Sequence, residues 1–249
     1  MASSLDMASV KELQMLLDSA SVAPTVFALC PDYRAVLVVA DGIAPGPSDE
    51  ASEALLKDAE AFARKMVAAT PVTQLPHVAA WREAYKAFGT NPNKFRNSPE
   101  ALTRRITPDS GLPRVNRLTD IYNAISVRYQ IPLGGEDLAK YEGSPRLIRA
   151  TGKEDFYTKT GGELTTEHPN VGEIVWTDSS GVTCRRWNWR QGPRTALTDE
   201  TTTALFICDA LDAMNDEELT TAVSELIKHL KRLGPDVSIE QRVLKAPLE

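Results

Sequence analysis

Long apolar runs are missing from this chain of 249 residues, and aromatic residues make up only 6% of it. No stretch approaches the roughly 18 consecutive apolar residues that a membrane-crossing helix needs, so neither a transmembrane segment nor a membrane partner is expected. Cysteine and histidine are scarce, with three of each. Cys30, Cys184 and Cys208 are widely spaced and odd in number, the pattern of buried small side chains in a reducing cytoplasm rather than a disulfide frame or zinc site. His77, His168 and His229 are equally scattered, so no metal is expected, and no cofactor motif is visible. Met1 to Leu5 lack a basic head followed by an apolar stretch, so no secretory signal is read. Leu248-Glu249 reads as a remnant of an expression vector.

The chain is 42% apolar and 25% charged, the balance of a soluble globular protein with a sizeable core in one or two domains. Its 28 basic and 34 acidic residues give a net charge of −6, unevenly spread. Residues 1–70 carry five basic and ten acidic side chains, whereas residues 81–128 carry nine and four. A second basic knot, Arg185, Arg186, Arg190 and Arg194, contains no acid. A basic surface on an acidic protein steers polyanions, with salt-sensitive binding. Basic residues that cluster only in sequence would give no such surface.

Val10, Leu13, Leu16 and Leu17 predict a helix over residues 8–18. Arg34 to Ala40 is a continuous β-branched run, the pattern of a buried strand, and Thr203 to Asp209 is another. Ser48 is the expected N-cap of an alanine-rich helix reaching Ala69. Further helices are expected over His77 to Phe88, over Ala101 to Ile106 with Ser98 as cap, from Pro113 to Tyr129, and from Asp216 to Leu233. Gly172 to Asp178 and Val182 to Trp189 flank Ser179-Ser180-Gly181 and read as a hairpin. The expected fold is α+β, a single domain with a mixed sheet flanked by helices. Residues 1–70 form an extension that completes it, 71–235 the main body, and 236–249 a C-terminal tail.

On the helix ending at Tyr129, Leu118, Ile121, Tyr122 and Ile125 share the core face. Asn116, Asp120, Asn123 and Val127 lie opposite. Asn and Asp are poor helix formers, so this second stripe is suited either to a ligand or to capping a neighbouring loop. An ordinary wet face is the alternative.

The run Val115-Asn116-x-x-Thr119-Asp120-Ile121-x-Asn123, followed by Pro132-Leu133-x-x-x-Asp137, resembles the B3/B4 domain, the editing domain of the phenylalanyl-tRNA synthetase β subunit. Trp81-Arg82-x-x-Tyr85, Ser98-x-Glu100-Ala101-Leu102-x-Arg104-Arg105 and Cys184-Arg185-Arg186-Trp187-Asn188-Trp189-Arg190-Gln191-Gly192 resemble freestanding proteins carrying that domain. The resemblance, over about residues 70–235, implies a cytoplasmic aminoacyl-tRNA deacylase. Such a protein takes the acceptor end of a tRNA and the attached amino acid, and hydrolyses the ester of a mischarged pair in trans. No ATP site is read, so ligase activity is not expected. The alternative is a noncatalytic aminoacyl-tRNA or amino-acid binding module, and a third reading is a small-molecule esterase or amidase.

The family's loop histidine is replaced by Gly134, and no counterpart of its pocket glutamate is evident near Leu205 to Cys208. The expected catalytic set is therefore Asn123, the backbone N–H groups of a Gly134-Gly135 turn, and Glu173. Asn116, Asp120, Ser126, Asn188 and Arg190 are expected to bind substrate. Arg104, Arg105, Arg185, Arg186 and Trp187 are expected to contact tRNA, with Trp187 and Trp189 as stacking platforms for the terminal adenine.

Overall fold

The two runs read as buried strands form the centre of the structure. The computed structural model describes residues 4–106 and 110–247; the expectations placed on Met1–Ser3 and on Leu248-Glu249 lie outside the described residues. The first half supplies α1 (Ser4–Ser19), β1 (Ser21–Val22), α2 (Pro24–Phe27), β2 (Arg34–Asp41), α3 (Glu50–Ala69), α4 (Pro76–Ala87), α5 (Ser98–Ile106) and α6 (Arg117–Tyr129). Next come β3 (Leu133–Asp137), β4 (Arg146–Arg149), β5 (Phe156–Thr160), β6 (Glu163–Glu167), β7 (Ile174–Thr177) and β8 (Val182–Arg185). The chain ends with β9 (Arg190–Gln191), β10 (Ala204–Ala210), α7 (Asp216–Leu230) and β11 (Ser238–Lys245). The fold is α+β, and among the described residues no helix is long and apolar enough to cross a membrane.

Strands β2 and β10 are the inner pair of an antiparallel sheet ordered β11-β2-β10-β3. Their runs are apolar throughout because both faces are covered. With the two-residue period of a strand, Leu37, Val39, Leu205 and Ile207 turn toward a second sheet, β1-β4-β7-β8-β9, and meet Leu147, Ile174, Trp176 and Trp187. Val36, Val38, Phe206 and Cys208 turn the other way, onto Leu118, Ile121 and Ile125 of α6 and Leu219, Val223 and Leu226 of α7. Each such side chain contributes about 1.5–3 kcal/mol of burial. Two sheets face to face, backed by a helical layer, thus enclose the inner face of β3 and β10.

Helix starts differ from expectation wherever another polar side chain reaches the free N–H groups first. Asp49, not Ser48, caps α3 in a capping box with Ser52, and Ser48 Oγ donates instead to Asp120 at 2.5 Å. Asn97 Oδ1 accepts the Glu100 N–H at 3.0 Å and displaces Ser98 as the cap of α5. Helix α6 begins at Arg117 rather than Pro113. Asn116 caps it through the Thr119 N–H, and the Asp120 carboxylate ties down the Val115 N–H.

Two further segments depart from the reading. The presumed tail contains β11, paired with β2 along its whole length. Gly134-Gly135 is no turn but the interior of β3, in register with Ile207 and Phe206.

Candidate functional site

Between the inner faces of the two sheets, the first turns of α5 and the middle of α6 lies a cavity of about 230 Å³. This is below the usual range for drug-sized ligands and fits a fragment the size of an amino acid. The register of β3 and β10 places its polar groups. Glu136 stands opposite Leu205 and Gly134 opposite Ile207, and directly opposed residues share a face. Asp209, two residues beyond Ile207, projects from the same side. Asn123 of α6, Cys184 of β8 and Asn188 to Gln191 complete the polar lining, with Leu102, Trp176 and Trp187 as apolar walls.

Asp209 is 3% exposed. Tyr33 donates its hydroxyl to Oδ1 at 2.6 Å. Asn188 Nδ2 donates to Oδ2 at 3.4 Å, and Asn188 is itself held by the Tyr85 hydroxyl on its Oδ1 at 2.9 Å. Burial pushes the Asp209 carboxyl up to about 7 despite these donors. A carboxyl poised there is matched to proton transfer near neutrality.

Glu136, also 3% exposed, receives Gln191 Nε2 at 2.8 Å on Oε2. Burial drives it up to about 8, so it is largely protonated at neutral pH. Cys184 lies near both acids. Burial, followed by their charges, raises its thiol well above the usual range, and it is therefore no thiolate nucleophile.

Asn123 is 6% exposed and lines the cavity, and among the described residues no hydrogen bond holds its side chain. Gly134 lines it too, and a Cβ at this position would meet nothing within 4 Å. The open space beside Gly134 is therefore part of the cavity. Its N–H is not free for an oxyanion. Bonds from Leu138 to Thr203 and from Asp209 to Pro132 bracket the ladder, and alternation places Gly134 in a hydrogen-bonded pair with Ile207. Gly135 turns away: its Cβ would strike Leu197 at 2.6 Å, and its carbonyl accepts Gln191 at 2.5 Å.

The other expected residues divide by what they bond. Glu173 lies outside the cavity, locked by Arg185 at 2.6 Å and 2.9 Å, so the catalytic role read for it is corrected to a structural ion pair. Asn116 and Asp120 are spent on caps and loop anchors, and Asn116 Nδ2 also donates to the Leu197 carbonyl. Ser126 donates to the Ile131 carbonyl at 2.6 Å, closing the turn into β3. Asn188 and Arg190 do line the cavity. Arg190 also donates to Thr158 Oγ1 at 2.6 Å.

Arg185 and Arg186 are buried rather than presented to a polyanion. The Arg186 guanidinium sits 3.7 Å from the Phe95 ring centre and 4.4 Å from that of Trp189. Trp187 is fully buried, edge-on to Tyr33 at 4.8 Å and Trp81 at 5.1 Å, and does not offer a face for stacking. Arg104 and Arg105 are both exposed, and the Arg104 Nε donates to Glu100 at 3.0 Å.

Strand alternation through Val182–Trp189 fails because Arg186 (φ 47°) and Trp187 (φ 66°) both adopt the left-handed conformation. Such geometry in two successive non-glycine residues costs on the order of 1–3 kcal/mol each. It is sustained by the burial of Trp187, its N–H on the Ile174 carbonyl and the Arg186 N–H on Glu173. The reversal delivers Asn188 to Asp209.

Sequence reasoning missed Asp209, Glu136, Tyr33, Tyr85 and Gln191. One signal was available: Leu205, Ile207 and Asp209 alternate onto one face, so the apolar run ends by aiming an acid inward.

Fold and cavity define an α+β pocket protein with two buried acids and an unpartnered amide around an amino-acid-sized space. Residues 80–233 match the model of the B3/4 domain family, and the chain belongs to that family. Among solved structures it is similar to an N-terminal fragment of the phenylalanyl-tRNA synthetase β-subunit from Pyrococcus horikoshii, at 11% identity and a TM-score of 0.43. The alignment covers 90% of this chain and 50% of that one, so the chain spans half the length of that relative. No curated protein matches the chain.

Proposed function

We propose that the protein is a trans-acting deacylase that holds the aminoacyl end of a mischarged tRNA in this cavity and hydrolyses the ester. The observation that carries the reading is the presence, in one small cavity, of the unpartnered Asn123 amide and of a carboxyl held near neutrality, Asp209. Asn123 positions the attacking water. Asp209 takes its proton as the oxygen bonds to the carbonyl carbon. The ribose oxygen leaves with that proton, releasing the amino acid. An aminoacyl ester is already activated, so positioning supplies much of the acceleration. The exposed Arg104 and Arg105 and the half-buried Arg190 are our candidates for meeting acceptor-stem phosphates, and hydrolysis should weaken as salt rises.

The test is a panel of mischarged tRNAs incubated with folded protein. Hydrolysis above buffer for at least one, slowed tenfold or more by Asn123→Ala, supports the reading; a panel untouched at all concentrations removes it. A second reading is a binding module without turnover. It is favoured by Gly134 at the place of the family's histidine and by neutral donors already on both Asp209 oxygens. Calorimetric binding of nonhydrolysable aminoacyl analogues without turnover would select it.

A further inference from the structure

Among the described residues eight acids are buried: Glu60, Glu100, Asp120, Glu136, Asp137, Glu173, Asp178 and Asp209. Taking a carboxylate out of water costs several kcal/mol unless a cation or several donors compensate. Five have a cation. Glu60 pairs with Arg114, Glu100 with Arg82, Asp137 with Lys140, Glu173 with Arg185 and Asp178 with Arg194, at 2.6–3.1 Å. Asp120 has three donors, Ser48, Ser52 and the Val115 N–H. The two left without a cation both line the cavity.

These two differ. Asp209 has a neutral donor on each oxygen, whereas Glu136 has a geometrically sound donor, Gln191, on Oε2 only. Arg194, whose charge acts on Glu136, is engaged by Asp178 at 2.7 Å. Two residues along β3, on the same face, Gly134 leaves open space where a side chain would stand. Asn123, 6% exposed, also lines this cavity, and among the described residues no hydrogen bond engages its side chain. An acid lacking its cation, room beside it and an amide available to the ligand together describe a seat for a charged donor carried by the ligand.

We propose that Glu136 seats the α-ammonium of the bound aminoacyl group, so that the cavity admits ligands with a free amine and rejects formylated or peptidyl ends. This rests on the aminoacyl reading above and adds a selection rule to it. N-acylation removes the charge and adds bulk where the ammonium would sit, and Glu136 would then stay unpaired. The rule would protect peptidyl-tRNA from a hydrolase that acts in trans.

Calorimetry on the intact protein at pH 7 tests this with the amides of alanine, leucine, phenylalanine and lysine, each beside its N-acetyl derivative. At least one free amide should bind ten or more times tighter than its acetylated twin. It should release protons to the buffer as Glu136 ionises, and Glu136→Gln should erase the preference while the ligand-free melting curve remains cooperative. Equal binding within every pair, a preference that survives Glu136→Gln, or no binding by any free amide overturns the proposal. Should the variant fail to fold, the wild-type comparison and the proton count decide alone. A Glu136-dependent preference without deacylation of any tRNA leaves the ammonium seat standing and removes the hydrolase. Equal hydrolysis of aminoacyl- and N-acetylaminoacyl-tRNA does the reverse.

Discussion

Tyr33 and Asp209, 176 residues apart in the chain, are joined by a 2.6 Å hydrogen bond at the cavity. The phenol is itself fully buried, and burial together with the Asp209 charge raises its pKa well above the ordinary tyrosine value, so it acts as a donor and never as a competing base. Removing it takes a donor from the ionised carboxylate, which pushes the Asp209 carboxyl further up. Tyr33→Phe should therefore move the alkaline-rising limb of the deacylation profile to higher pH than in the wild type. Stability should fall by about 1–3 kcal/mol. A pH–rate profile on one responsive mischarged tRNA checks this, and an unmoved limb would exclude Asp209 as the base.

The same carboxyl makes stability depend on pH with a defined sign. Its folded value, about 7, lies above its ordinary value of 3.8. Between those values the folded protein keeps a proton that the unfolded chain has lost. The contribution is full below about pH 4 and is lost as pH rises through 7. Asp209→Asn cannot titrate, so the variant should gain on the wild type by more than about 1 kcal/mol between pH 5 and pH 8. Urea unfolding at the two pH values measures the difference; a constant offset would show that Asp209 ionises normally.

Gly134 offers a way to fill the cavity without straining the backbone. It lies in a strand, and a Cβ there meets nothing within 4 Å. Gly134→Val should keep the melting temperature within a few degrees, since valine suits strands. Binding of aminoacyl analogues should drop tenfold or more. Undiminished affinity would place the ligand elsewhere.

Glu173 carries the opposite expectation to a catalytic acid. Its carboxylate compensates Arg185 and reaches Arg186 at 3.7 Å, all three buried. Glu173→Gln should cost about 3 kcal/mol by leaving Arg185 with the Glu167 carboxylate alone, at 3.1 Å. The turnover of the protein that remains folded should be unchanged. A selective loss of kcat with normal stability would restore Glu173 to the site.

Much of the scaffold was legible because it follows from local periodicity. The apolar run of β2, the one-sided stripe of α7 and the core face of α6 each need only the period of their own element and a covered surface. Helix starts were less legible, because Asp49, Asn97 and Asn116 compete with neighbouring polar residues for the same N–H groups. Strand β11 escaped notice since its residues alternate weakly and its order comes from pairing with β2. In the candidate site, Asn123, Gly134, Asn188 and Arg190 were visible from the family pattern. The polar stripe on α6 was visible as well, but not how it divides. One turn apart, Asn116 and Asp120 are consumed by caps while Asn123 faces the cavity.

What the chain's own order of residues determined is the set of elements and the faces they bury: mostly helices before residue 130, mostly strands after, and two apolar runs able to lie inside a sheet. Only tertiary structure decided which acids gain a cationic partner. Glu173 and Glu136 are both buried glutamates on or beside strands, and nothing local separates them. One lies against Arg185 and is silenced; the other faces empty space beside Gly134, with the Gln191 amide as a neutral donor and no cation paired to it. A carboxyl's chemistry depends on the water it loses and the partner it gains, and both are set by chains of contact far longer than any sequence motif.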